Sequence, residues 1–82
     1  MPAKETLCGT PSGLWPDAAI VTADTAPAYV EPKVLQVPVE TFHQGEALDI
    51  TDRSGDWFLT RFQDRRWGPR VGFIHCSQLG PG

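Results

Sequence analysis

The stretch Gly45-Glu46-Ala47-Leu48-Asp49-Ile50-Thr51-Asp52-Arg53-Ser54-Gly55-Asp56-Trp57-Phe58-Leu59-Thr60-Arg61-Phe62 carries the strongest structural signal in the chain. Leu48 and Ile50 alternate with Asp49 and Thr51, the period of a strand that buries one face. Ser54-Gly55-Asp56 is turn chemistry, and it reverses the chain into a second strand on which Phe58, Thr60 and Phe62 share a face. Residues 64–69 form another hairpin turn, after which Val71-Gly72-Phe73-Ile74 returns as a third strand. Cys76-Ser77-Gln78-Leu79 is too short for a helix and suits one 3₁₀ turn. The predicted core is Leu48, Ile50, Phe58, Phe62, Leu79 and one of Val71 or Ile74.

Upstream the pattern loosens. Pro11, Pro16, Pro27, Pro32 and Pro38 each remove a backbone donor, and no window spaces apolar residues helically over three turns. The chain therefore reads as all-β with long loops. Residues 18–23 make a first strand, residues 24–33 an irregular loop, residues 34–37 a short strand, and residues 42–46 a turn. Residues 1–17 read as a tail, with Leu14 and Trp15 as its docking side chains. Residues 18–79 form the folded unit and residues 80–82 the end.

With 82 residues this is one small domain, too small for a cleft between two lobes. No apolar run reaches the roughly 18 residues of a membrane span. Met1-Pro2-Ala3-Lys4-Glu5 shows no signal peptide, so a cytoplasmic setting follows if that start is native, and an envelope or secreted one if a leader was removed. The net charge of -3 is segregated: residues 1–52 hold two lysines against eight acids, residues 53–82 five arginines against Asp56 and Asp64. An acidic whole argues against general nucleic-acid binding. Arg61, Arg65, Arg66 and Arg70 form at most a local basic patch.

Few residues suit chemistry. His75 and Cys76 are neighbours, and on a strand they point to opposite faces, so they do not form a nucleophile–base pair. Cys8, His43, His75 and Cys76 lack the spacing of a zinc knuckle, and the aspartates lack that of a calcium loop. No catalytic residue, metal or cofactor is expected. Two cysteines are compatible with one disulfide or with two thiols. Nothing in the pattern brings the tail's Cys8 to the inward-facing Cys76, so the expectation is a buried, reduced Cys76 and a dispensable tail. The aromatic residues say more. Trp15, Tyr29, Trp57, Trp67 and Phe73 cannot all fit so small a core, and exposed rings gather where a partner docks. Trp67 beside Arg65 and Arg66 suits cation–π packing or a phosphate or carboxylate contact.

The ordered motifs Gly45-Glu46-x-Leu48-x-Ile50, Gly55-Asp56-Trp57-Phe58-x-Thr60-Arg61 and Gly72-Phe73-Ile74-x-Cys76-Ser77-x-Leu79 resemble an SH3 domain, most of all the bacterial SH3 type. The resemblance spans residues 18–79, and Ala28-Tyr29-Val30-Glu31-Pro32 sits where bacterial members carry a first-loop signature, here without its Arg. It implies a small five-stranded SH3-like β-barrel with a long first loop and a short 3₁₀ turn before the last strand. Trp57 matches the groove Trp of proline-binding members, whereas His75 stands in place of the groove Pro and Gln78 in place of the late Tyr. The resemblance implies a non-enzymatic module that binds a peptide, either of the cell wall (peptidoglycan) or of a partner protein. The expected ligand-binding residues are Tyr29, Trp57, Phe73 and His75, helped by Arg65, Arg66 and Trp67. The alternatives are weak homo-oligomerisation through the tail and strand edges, and weak nucleic-acid binding through the Arg hairpin.

Overall fold

The structure, a computed structural model, describes residues 6–81; residues 1–5 of the expected tail, and Gly82, lie outside it. Seven strands follow a short 3₁₀ turn at Leu7–Gly9. They are β1 (Ala18–Val21), β2 (Thr25–Ala28), β3 (Glu40–His43), β4 (Ala47–Ser54), β5 (Trp57–Asp64), β6 (Gly68–His75) and β7 (Leu79–Pro81). A second 3₁₀ turn, Cys76–Gln78, precedes β7. All pairings are antiparallel, in a five-stranded sheet ordered β6-β5-β4-β1-β7 and a two-stranded sheet of β2 and β3. No helix among the described residues is long and apolar enough to cross a membrane.

The meander forms where its alternation placed it. Leu48, Ile50, Phe58, Phe62, Ile74 and Leu79 are buried, and Phe42 meets Phe62 edge-on at 5.1 Å between ring centres. Of the two β6 candidates Ile74 is inside, while Val71 lies half in water on the other face. Thr60 is buried on the core face, where its hydroxyl donates to the Gly72 carbonyl at 3.0 Å and so meets the cost of desolvation.

The first half differs from the expectation in three ways. Residues 34–37 are no strand: Val34 and Val37 are 73% and 74% exposed in the loop joining β2 to β3. Pro32 and Pro38 bracket that segment and no strand lies beside it to pair with. The expected loop of residues 24–33 instead opens with β2. Its Pro27 is tolerated because a two-stranded hairpin consists of edge strands. Phe42 and His43 belong to β3, so the turn contracts to residues 44–46. Gly45 adopts a φ of 91° there, and Glu46 Oε2 accepts the His43 amide at 2.6 Å.

The cysteine expectation is overturned. Cys8 and Cys76 form a disulfide that ties the two 3₁₀ turns together across 68 residues. The N-terminal segment reaches Cys76 because it is folded. Leu7 is buried in the main core, and Arg53 Nη1 donates to the carbonyls of Thr10, Pro11 and Leu14 at 3.1, 2.6 and 2.8 Å. Arg53 is itself fixed by its Nε bond to the Gly55 carbonyl and by lying 4.8 Å over the Phe58 ring. Residues 6–14 are thus part of the fold rather than a tail.

Candidate functional site

The site is built where the β2–β3 hairpin crosses the edge of β6. Tyr29 and Phe73 exchange both backbone hydrogen bonds, at 2.9 and 2.7 Å, so the hairpin is stitched to the sheet at one point. Gly72 permits that crossing: a Cβ there would lie 2.8 Å from Ala28 Cβ and 3.0 Å from Val39 Cγ2. Ala28 is the neighbour of Gly72 because the hairpin folds over β6 from the first half of the chain.

On β5 the Gly55 turn, with φ 59°, delivers Trp57 opposite His75 of β6. The two rings meet edge-on at 5.0 Å, and Tyr29 meets the other side of Trp57 at 6.1 Å. These three rings, with Pro27, Val34, Ser77 and Gln78, line a cavity of about 330 Å³. Tyr29 is largely buried, whereas Trp57 and His75 are half-buried. His75 Nδ1 accepts the Ser77 amide at 3.2 Å and contacts the Ser77 hydroxyl at 2.8 Å. A neutral imidazole held this way carries its proton on Nε2, leaving a donor for a ligand carbonyl. The cavity wall of residues 75–78 is anchored by the Cys76 amide on the Asp56 carbonyl at 2.8 Å, by the Thr22 amide on the Gln78 carbonyl at 3.0 Å and by the disulfide.

The expected ligand-binding residues fall into two groups. Tyr29, Trp57 and His75 converge, with Phe73 adjoining them on the outer face. Arg65, Arg66 and Trp67 sit at the opposite end of the β5–β6 ladder, roughly 20–25 Å away at about 3.3 Å per residue. Pro27, Val34 and Ser77 escaped the sequence reading. The first two were assigned to loop and strand, and Ser77 becomes a lining residue only through its contact with His75. The ligating atoms of Cys8, His75 and Cys76 lie within 4.8 Å of one another, but both sulfurs are committed to the disulfide. A larger depression, about 470 Å³, lies along the N-terminal segment beside Leu14 and Trp15. It is lined by Leu7, Leu14, three prolines and the single ring of Trp15, and lacks the converging rings and imidazole of the groove, so the groove is the better candidate.

The distal hairpin is held by one carboxylate. Asp64 Oδ1 accepts the amides of Arg66 and Trp67 at 2.7 and 3.1 Å, and Oδ2 faces Arg70 Nη1 at 3.3 Å. The Arg66 amide, then the Trp67 amide and Arg70, outweigh desolvation and hold the Asp64 carboxyl below its ordinary pKa. Its contribution to the turn is therefore complete above the unfolded-state pKa and disappears as pH falls through the lower folded one. The Arg66 and Trp67 amide signals in NMR are expected to stay constant at neutral pH and move only in acid, below the usual aspartate range. Asp64→Asn is expected to remove that transition; a midpoint at or above the usual range would show that Asp64 does not hold the turn.

Protein-family models, curated proteins and solved structures were compared with the chain, and none matches.

Proposed function

We propose that the chain is a non-enzymatic, SH3-like binding module that holds a peptide in the groove between Tyr29, Trp57 and His75. The observation that carries this reading is the convergence of the Tyr29 and Trp57 rings with the Ser77-oriented imidazole of His75 around an open cavity. Half-buried aromatic side chains beside a few fixed hydrogen-bonding groups suit an extended peptide, whose side chains fill the apolar space while its carbonyls take the donors. The sheet order, with the β2–β3 hairpin laid over β6, supports reading the two sheets as an SH3-like barrel. The disulfide supports an oxidising setting, and of the two peptide classes it favours a cell-wall peptide over a cytosolic partner.

Trp57→Ala is expected to leave the domain folded while weakening binding by at least about thirtyfold, the effect of losing a central aromatic anchor. Sedimentation with purified peptidoglycan and selection from a random-peptide library supply the readouts, with urea denaturation as the folding control. A variant that binds like wild type would refute the groove; one that melts far below wild type would make Trp57 a core residue. The assembly reading keeps one observation, the exposure of Leu14 and Trp15 at 59% and 42%. It requires a second species in analytical ultracentrifugation.

A further inference from the structure

The outer face of the β5–β6 ladder departs from what an exposed antiparallel face usually shows, namely polar side chains. Below the Trp57–His75 pair come Leu59 opposite Phe73 and then Arg61 opposite Val71. Leu59 and Phe73 are half-buried, and Val71 is 49% exposed. An apolar stripe therefore leaves the groove and runs along the ladder towards the hairpin. Positive charge gathers towards its far end. Arg65 and Arg66 are exposed, and among the described residues neither is in an ion pair. Asp64 does not neutralise them, because its oxygens are committed to the turn amides and to Arg70. Arg61, also exposed and in no ion pair among the described residues, adds a guanidinium beside Val71, while Asp49 and Asp52 of β4 stand opposite Arg61 and Leu59.

From this arrangement we infer that the groove is one end of a longer track, and that its ligand is an extended peptide with an acidic far end. The inference rests on the groove reading above. An extended chain rises about 3.3 Å per residue, so about seven residues cover the distance from the Trp57–His75 pair to the hairpin. The near end fills the ring-lined cavity, the middle lies on Leu59, Phe73 and Val71, and the last one or two carboxylates meet the guanidinium groups of Arg65 and Arg66. A polyanion fits less well, because its phosphates would meet positive charge at one end of the track and an apolar stripe along the rest. A bilayer would touch the hairpin tip and leave the groove unused.

The test uses three libraries of ten-residue peptides. Each has a randomised first half containing at least one proline or aromatic residue and a second half ending in Asp/Glu, Asn/Gln or Lys/Arg. Wild-type protein is expected to select the acidic set. Arg65→Gln with Arg66→Gln is expected to weaken selected acidic peptides about tenfold, as two exposed ion pairs would, and to abolish the preference among end groups while binding persists. Trp57→Ala is expected to weaken binding of all three sets by at least about thirtyfold. If wild type binds the three sets equally and Trp57→Ala still weakens them all in this way, the track is wrong and the groove stands. If the Trp57→Ala protein binds acidic peptides as tightly as wild type does, the hairpin attracts anions on its own and the track is again wrong. Vesicles containing phosphatidylserine form a further arm. Capture of the protein by them that is lost in the double arginine variant, without acidic selection, would assign the hairpin to a membrane surface instead. If no peptide binds wild type in any set, the groove reading itself fails.

Discussion

Replacing both cysteines, Cys8→Ser together with Cys76→Ser, is expected to destabilise the protein by about 4 kcal/mol, the chain-entropy cost of releasing a loop of this length. The bond spans 68 residues, so it removes many conformations from the unfolded chain that would otherwise compete with the native state. A domain of this size has a total stability of only about 4–12 kcal/mol, so the change consumes a large share of it. The loss extends into the native state. Leu7 is 4% exposed and lies in the core beside Cys76, and the three carbonyls bound by Arg53 belong to the same N-terminal segment. Urea denaturation of wild type, with and without a dithiol reductant, checks the result against the double variant. A loss below about 1 kcal/mol would show that the N-terminal segment docks without the bond's help. Removal of residues 1–13, which the sequence suggested was harmless, takes away both Leu7 and Cys8 and is expected to cost at least as much.

Phe58→Ala is expected to cost about 3–5 kcal/mol, the range for truncating a fully buried aromatic side chain. Phe58 has no exposed surface, pairs with Ile74 across the β5–β6 ladder, and carries the Arg53 guanidinium over its ring. Its loss opens a cavity at the centre of the core and removes the platform of the residue that clamps residues 10–14. Phe58→Leu retains most of the volume but not the ring, so the difference between the two variants measures the core and the clamp separately. Calorimetry should show the alanine variant melting far below the leucine variant. Equal melting temperatures would mean that neighbouring side chains collapse into the space, and that the core does not depend on this ring.

The groove shows how far local reading reaches. Trp57, Tyr29 and His75 stand out in the sequence, and the structure brings Tyr29 and His75 against the two sides of Trp57. The separation of Arg65, Arg66 and Trp67 from them was implicit in the length of the strands. A hairpin turn and the open end of the same ladder cannot adjoin when eight residues of strand lie between them.

The amino-acid sequence by itself determined the β4–β5–β6 meander, its turns, its inward face and the 3₁₀ turn after it. Each of these depends on contacts within a few residues, through alternation, glycine turns and hairpin pairing. Tertiary structure decided the rest, because the determining contacts join distant parts of the chain. The β2–β3 hairpin is placed by backbone bonds between Tyr29 and Phe73, and by the missing side chain of Gly72 against Ala28. The fate of Cys8 is set by Arg53, which binds carbonyls 39 to 43 residues away and turns the N-terminal segment towards the wall of residues 75–78. A backbone carbonyl is identical at every residue, so no pattern of side chains could mark Thr10, Pro11 and Leu14 as the acceptors that bring Cys8 to Cys76.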